Sequence, residues 1–90
     1  MTATSKAIEK KGIHQRSHWL SDMANALTDQ QIATMYEEIS EFRRTGILHG
    51  SLLRDFARRI QSEIKSSSPE LRMAEDAVLF EMGRRLYERL

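Results

Sequence analysis

Three histidines and a cluster of carboxylates are the residues of this chain whose types and spacing could do chemistry. His14, His18 and Asp22 follow one another at intervals of four. On a helix they would share one face, and two imidazoles one turn apart can grip a metal ion. The ligand set is incomplete. The chain has no cysteine, and no glutamate stands at the metalloprotease spacing beside these histidines. They read as hydrated surface residues rather than as ligands, and no metal or cofactor is expected. Glu37, Glu38 and Glu41 form an acidic group. Carboxylates that act as acid and base need burial or mutual crowding to move their pKa values. These three fall opposite the apolar side of their segment, so a solvated face is the expectation. His49 stands between Leu48 and Gly50 with no serine or carboxylate that the sequence can place beside it. No glycine loop for phosphate and no nucleophile elbow occurs. A catalytic role is therefore not expected.

The elements that must position these residues read as helices throughout. Ser17 is a candidate cap for a first short helix to about Leu27, with Trp19, Leu20, Met23, Ala24 and Leu27 at helical spacing. Thr28-Asp29-Gln30-Gln31 has the form of a capping box, with an acid where the helix dipole is positive. A second helix then runs to about Thr45 on a stripe of Ile32, Met35, Tyr36, Ile39 and Phe42. Arg43 and Arg44 suit its last turn, Gly46 is a left-handed terminator, and Ile47 is placed to pack back onto it. Ser51 is the expected cap of a third helix to about Ser66. Its inward residues are Leu52, Leu53, Phe56, Ala57, Ile60 and Ile64, and Asp55 can pair with Arg59. Ser68-Pro69-Glu70 is a start signal for a fourth helix that reaches almost to Leu90.

The stretch Leu27–Ala33 resembles the approach to an EF-hand pair. The likeness ends there, because the Arg43-Arg44-Thr45-Gly46-Ile47-Leu48-His49-Gly50 that follows offers none of the alternating oxygen ligands and no bidentate glutamate. Calcium binding is not expected.

Composition bounds the rest. Ninety residues make one domain, and 40% hydrophobic with 30% charged residues is a globular balance. No segment alternates with period two over a strand's length, which predicts an all-α fold, a small three- to four-helix bundle. Residues 1–12 mix small and basic side chains and read as a flexible basic arm ahead of a single helical domain over 13–90. No apolar run approaches the roughly 18 residues that span a bilayer, and no signal peptide is visible, so a cytoplasmic protein without a membrane partner is expected.

Two surfaces remain to be explained. Helix four is apolar on two sides. Leu71, Ala74, Val78, Leu79, Met82 and Leu86 form a broad stripe, and Met73, Ala77, Phe80 and Tyr87 form a second, with Met73, Phe80 and Tyr87 seven residues apart. Either helix four is central and covered on both sides, or the second stripe is a contact surface for another chain, such as a second copy in a homodimer. The other surface is basic. Lys6, Lys10 and Lys11 lie in the arm, and Arg54, Arg58 and Arg59 face outward on helix three, a set that could hold nucleic acid. The net charge of only +1 argues for a protein partner first and nucleic acid second. By analogy of size and class, the expectation is a protein-binding regulator of the inhibitor, antiactivator or adaptor type, of the kind phages and plasmids often carry. The alternative is a small DNA-binding regulator.

Overall fold

The computed structural model describes residues 19–90, and it is an all-α bundle. Helix α1 covers 19–25 of the described residues, α2 spans Asp29–Thr45, α3 spans Leu52–Ile64 and α4 spans Leu71–Arg89. The three long helices each pack on the other two. The proposed arm, the Ser17 cap, His14 and His18 lie outside the described residues.

Local chemistry sets both ends of α2. The Gln31 amide donates to the Thr28 hydroxyl at 3.0 Å while the Thr28 amide donates to the Gln31 side chain at 2.8 Å. Two otherwise orphaned donors are satisfied at once. At the other end Gly46 turns left-handed at φ 78° and sends its amide to the Phe42 carbonyl at 2.7 Å. Ile47 does not pack back as the sequence suggested. It remains 58% exposed, and its amide is held instead by the Thr45 hydroxyl at 3.1 Å.

Helix α3 starts differently from its sequence signal. Ser51 makes no side-chain cap bond. The cap comes from α2, where the half-buried Glu38 carboxylate accepts the amides of Leu53 at 2.8 Å and Leu52 at 3.4 Å. A carboxylate at a helix N-terminus gains from the dipole as well as from the hydrogen bonds. Gly50 makes room for it. A Cβ there would come within 2.5 Å of the Glu38 Oε2, and its φ of +81° already favours glycine. The helix stops at Ile64, with Lys65 left-handed at φ 55° and its amide on the Gln61 carbonyl. Ile64, expected inside, is exposed. Helix α4 begins at Leu71, two residues after Pro69, and neither Ser68 nor Glu70 caps it through a side chain. Glu70 is the N-cap: its carbonyl accepts the Ala74 amide at 3.0 Å, and its own amide, which no intrahelical carbonyl takes, lies 3.5 Å from the Ala57 carbonyl on α3.

The core gathers Ile32, Met35 and Ile39 of α2, Leu53, Phe56, Ala57 and Ile60 of α3, and Ala74 and Val78 of α4, with Ala24 and Leu27 closing one end. The α2 and α3 stripes match their sequence reading in their buried centres, while Tyr36 at the margin is exposed.

The junction of α1, α2 and α4 is polar. Glu81 of α4 is only 2% exposed, on the same arc as Ala74 and Val78. It accepts from Arg84 at 2.6 and 3.1 Å and from Arg85 Nε at 2.7 Å. The other two nitrogens of Arg85 leave α4. One donates to Asp29 at 2.7 Å. The second donates to the Leu27 carbonyl at 2.6 Å and to the Asn25 carbonyl at 3.2 Å. These carbonyls follow the last turn of α1, where no intrahelical donor remains, so the guanidinium of a distant helix serves as their cap.

The cap of α3 is a direct test of this arrangement. Glu38→Ala should lower unfolding stability by about 1–2 kcal/mol, while Ser51→Ala should stay within about 0.5 kcal/mol of the parent. Urea denaturation followed by circular dichroism measures both. Equal losses in the two variants would return the cap to Ser51.

Candidate interaction surface

The buried arc of α4 decides what the rest of that helix presents. Ala74, Val78 and Glu81 point inward, and at 100° per residue Phe80 and Tyr87 lie 100° or more from each of them. Phe80 is 72% exposed and Tyr87 77%. The other two residues of the second stripe, Met73 and Ala77, are half-buried and pack against the core. The four sequence candidates are thus divided. Met73 and Ala77 form the inner shoulder of the face, and the two aromatic rings stand clear of the bundle. Among the described residues nothing covers Phe80 and Tyr87, so these do not enclose α4 on both sides.

The first stripe is also corrected. Leu86, expected in the core, is 61% exposed, and Leu79 and Met82 are half-buried. The helix is rotated toward Ala77 and Arg85 relative to the purely apolar reading, so that Glu81 takes an inward position that no apolar count would give it. The one sequence signal for this was Arg84 and Arg85 at three and four residues beyond a glutamate, seven beyond Ala74.

Two grooves flank α4. One, of about 340 Å³, lies between α1 and α4, with Leu20, Ser21 and Ala24 on one side and Asp76, Ala77, Phe80 and Glu81 on the other. The second, of about 550 Å³, runs between α2 and α4. Ile32, Ala33 and Tyr36 face Leu79, Met82, Gly83 and Leu86 across it, and Asp29, Arg85 and Arg89 close one end. Both are mainly apolar troughs with a charged rim, a form that receives side chains of a binding partner.

Arg54, Arg58 and Arg59 are exposed on α3, as the sequence indicated, and no ion pair joins Asp55 to Arg59 among the described residues. Lys6, Lys10 and Lys11 lie outside the described residues. The acidic group is split by the fold. Glu38 caps α3, Glu41 pairs with Arg44, and Glu37 is exposed. The Arg44 guanidinium holds the Glu41 carboxyl below its ordinary range. Arg43 crosses to Glu75 of α4 at 3.0 Å. His49 is exposed. Among the described residues no group of three or more histidine or acidic side chains is arranged to hold a metal.

The Arg84 guanidinium, with Arg85 behind it, holds the Glu81 carboxyl below its ordinary range against the opposing effect of burial. Arg85 and Arg89 do the same for Asp29. A carboxyl with a depressed folded pKa stabilises the fold fully above its unfolded pKa, about 4.3 for glutamate. That contribution disappears as pH falls through the lower folded value. Thermal stability should therefore be flat near neutrality and fall steeply below about pH 4.3. In Glu81→Gln the neutral stability should drop by roughly 2–4 kcal/mol and the acid slope should become shallower. Melts across pH check both, and an unchanged slope in the variant would remove Glu81 from the account.

No family model, curated protein or solved structure matches this chain, so what it does has to be read from these side chains themselves.

Proposed function

We propose that the protein is a non-enzymatic, protein-binding regulator of the inhibitor, antiactivator or adaptor type, acting through the outer face of α4. The observation that supports this reading is the pair of open aromatic rings, Phe80 and Tyr87, two helical turns apart on a rigid helix. Tyrosine and other aromatic side chains carry a large share of binding energy at protein interfaces, because they bury much area at little cost in side-chain entropy. Here they are backed by Met73 and Ala77 and bordered by Asp76, Arg84 and Glu88, a small apolar patch with a charged rim. The ionisable groups lend weight to a binding role as well. Glu38, Glu41 and Glu81 are each engaged in a cap or an ion pair.

Phe80→Asp tests the reading. Because Phe80 is largely solvent-facing, ellipticity and Tm should stay close to the parent, while association is lost. Removing one aromatic contact of roughly 1.5–3 kcal/mol weakens binding by about ten- to a hundredfold. Circular dichroism with light scattering separates the outcomes. An unfolded chain would assign Phe80 to the core, and unchanged association would remove this face from the function.

A second reading, nucleic-acid binding through α3 and the arm, draws on the exposure of Arg54, Arg58 and Arg59. Three phosphate contacts give a log–log salt slope of about −3. Fluorescence anisotropy with duplex DNA should show weak, salt-steep binding that the triple alanine variant abolishes. Binding of equal strength in that variant would rule out the arginine face.

A further inference from the structure

The residues that run along the outer face of α4 at intervals of four are Arg72, Asp76, Phe80, Arg84 and Glu88. Such an i±4n row is the ridge that the commonest class of helix packing uses. Its charges read plus, minus, aromatic, plus, minus, and that order is its own complement when reversed about Phe80. The neighbouring positions follow the same reversal. Three residues either side of Phe80 stand Ala77 and Gly83, and seven residues either side stand Met73 and Tyr87.

We propose that the occupant of this face is a second copy of the chain, with the two α4 helices antiparallel across a two-fold axis at Phe80. The proposal rests on the reading of this face as a protein-binding surface and gives it a partner and a register. Arg72 then lies opposite Glu88 of the second copy, and Asp76 opposite Arg84 of the second copy. The two-fold doubles each pair. Neither Arg72 nor Asp76 has an ion-pair partner among the described residues, and both are exposed. Arg84 and Glu88 are paired with one another along the ridge. The dimer sets that pair against a bare pair of the opposite order, and a parallel arrangement would set like charges together instead. Ala77 and Gly83 flank Phe80 on opposite sides of the ridge, small residues that let a second helix approach closely. A Cβ at Gly83 would touch nothing within 4 Å in the single chain, so this side of the helix is free to receive a backbone. The isologous geometry closes on itself, as two-fold dimers do.

Charge reversal at the outermost pair tests the register without touching the core. In Arg72→Glu both outer pairs become acid against acid, and in Glu88→Arg both become base against base. Sedimentation equilibrium on the full chain, with circular dichroism as the control for folding, should show a wild-type dimer of 10.5 kDa chains. Each single variant should associate roughly tenfold more weakly or worse. An equimolar mixture of the two variants recreates both pairs between unlike chains and should recover wild-type affinity, as should the double variant R72E/E88R on its own. Single variants that keep wild-type affinity, or a mixture no tighter than its components, would overturn the register. A wild-type chain that is monomeric at every concentration would overturn the second copy as occupant and leave the α4 face to a different protein. An intact dimer in Phe80→Asp would overturn the face itself.

Discussion

The arrangement of the molecule depends on where one guanidinium is held. Arg85 engages its three nitrogens on three different elements: Glu81 on its own helix, the carbonyls that end α1, and Asp29 in the first turn of α2. Each contact solves a problem that the others create. A carboxylate as deeply buried as Glu81 is tolerable only with its charge matched, the end of α1 leaves carbonyls without donors, and the start of α2 attracts an acid that gains from a cation nearby. Arg84 completes the neutralisation of Glu81 from the solvent side, and Arg89 supports Asp29. Against a well-packed apolar replacement, buried ion pairs contribute little net stability. What this cluster supplies is orientation. With Glu81 required to face the α1–α2 junction, α4 can present only one arc to the core, the one shared by Ala74 and Val78.

That rotation has a direct consequence at the surface. Turning Glu81 inward carries Leu86 away from the core and draws Met73 and Ala77 partly under cover, while Phe80 and Tyr87 stay exposed. Had the helix followed its apolar content alone, Leu79, Met82 and Leu86 would be covered and Glu81 would stand near the edge. Phe80 and Tyr87 lie on the far side of the helix from Leu79, Met82 and Leu86, so either rotation leaves the rings exposed; what the buried charge sets is the half-buried shoulder of Met73 and Ala77 beside them. Isolated apolar residues on a surface need no explanation. Two rings seven residues apart on one helix, with charges arranged symmetrically around Phe80, are a different matter.

How much of this was legible in the sequence follows from how local each interaction is. Thr28 and Gln31, and the Gly46 terminator, involve residues within four positions of one another, and the sequence reading locates them correctly. The buried centres of α2 and α3 follow from periodicity, because burial there is purely apolar. Reading along the chain fails where the partner comes from another helix. Ser51 has the right chemistry to cap α3, yet Glu38, thirteen residues earlier in the numbering, reaches the same amides first and with a full charge. Ser68 has the right chemistry for α4, yet the helix starts two residues later, with Glu70 as its N-cap beside the Ala57 carbonyl of α3. Glu81 was the hardest to place, since a lone glutamate counts as solvent-facing until its arginines are seen to follow the buried arc. The candidate face was legible as a second stripe. Its division into a half-buried shoulder and two open rings was not, because that depends on the rotation that Glu81 imposes.

The thinness of the core explains why one helix carries both duties. A chain of ninety residues buries only roughly 60–65% of its unfolded surface, and net stabilities of small domains are about 5–10 kcal/mol. Three long helices of this size cannot enclose a fourth layer, so any helix that forms the core must also show a large part of its circumference to water. For α2 and α3 that outer part is charged: Glu37 and Arg44 on one, Arg54, Arg58 and Arg59 on the other. Tyr36 at the margin of α2 is the one exposed ring there among the described residues, whereas α4 places two, Phe80 and Tyr87, largely in solvent. Along its nineteen residues the consequences of substitution therefore sort by angle rather than by residue type. Changes on the Ala74–Val78–Glu81 arc act on folding, and under the proposed dimer changes on the Phe80–Tyr87 side act on association. Arg84, which touches the buried carboxylate with one group and the outer ridge with another, is the residue through which the two are coupled.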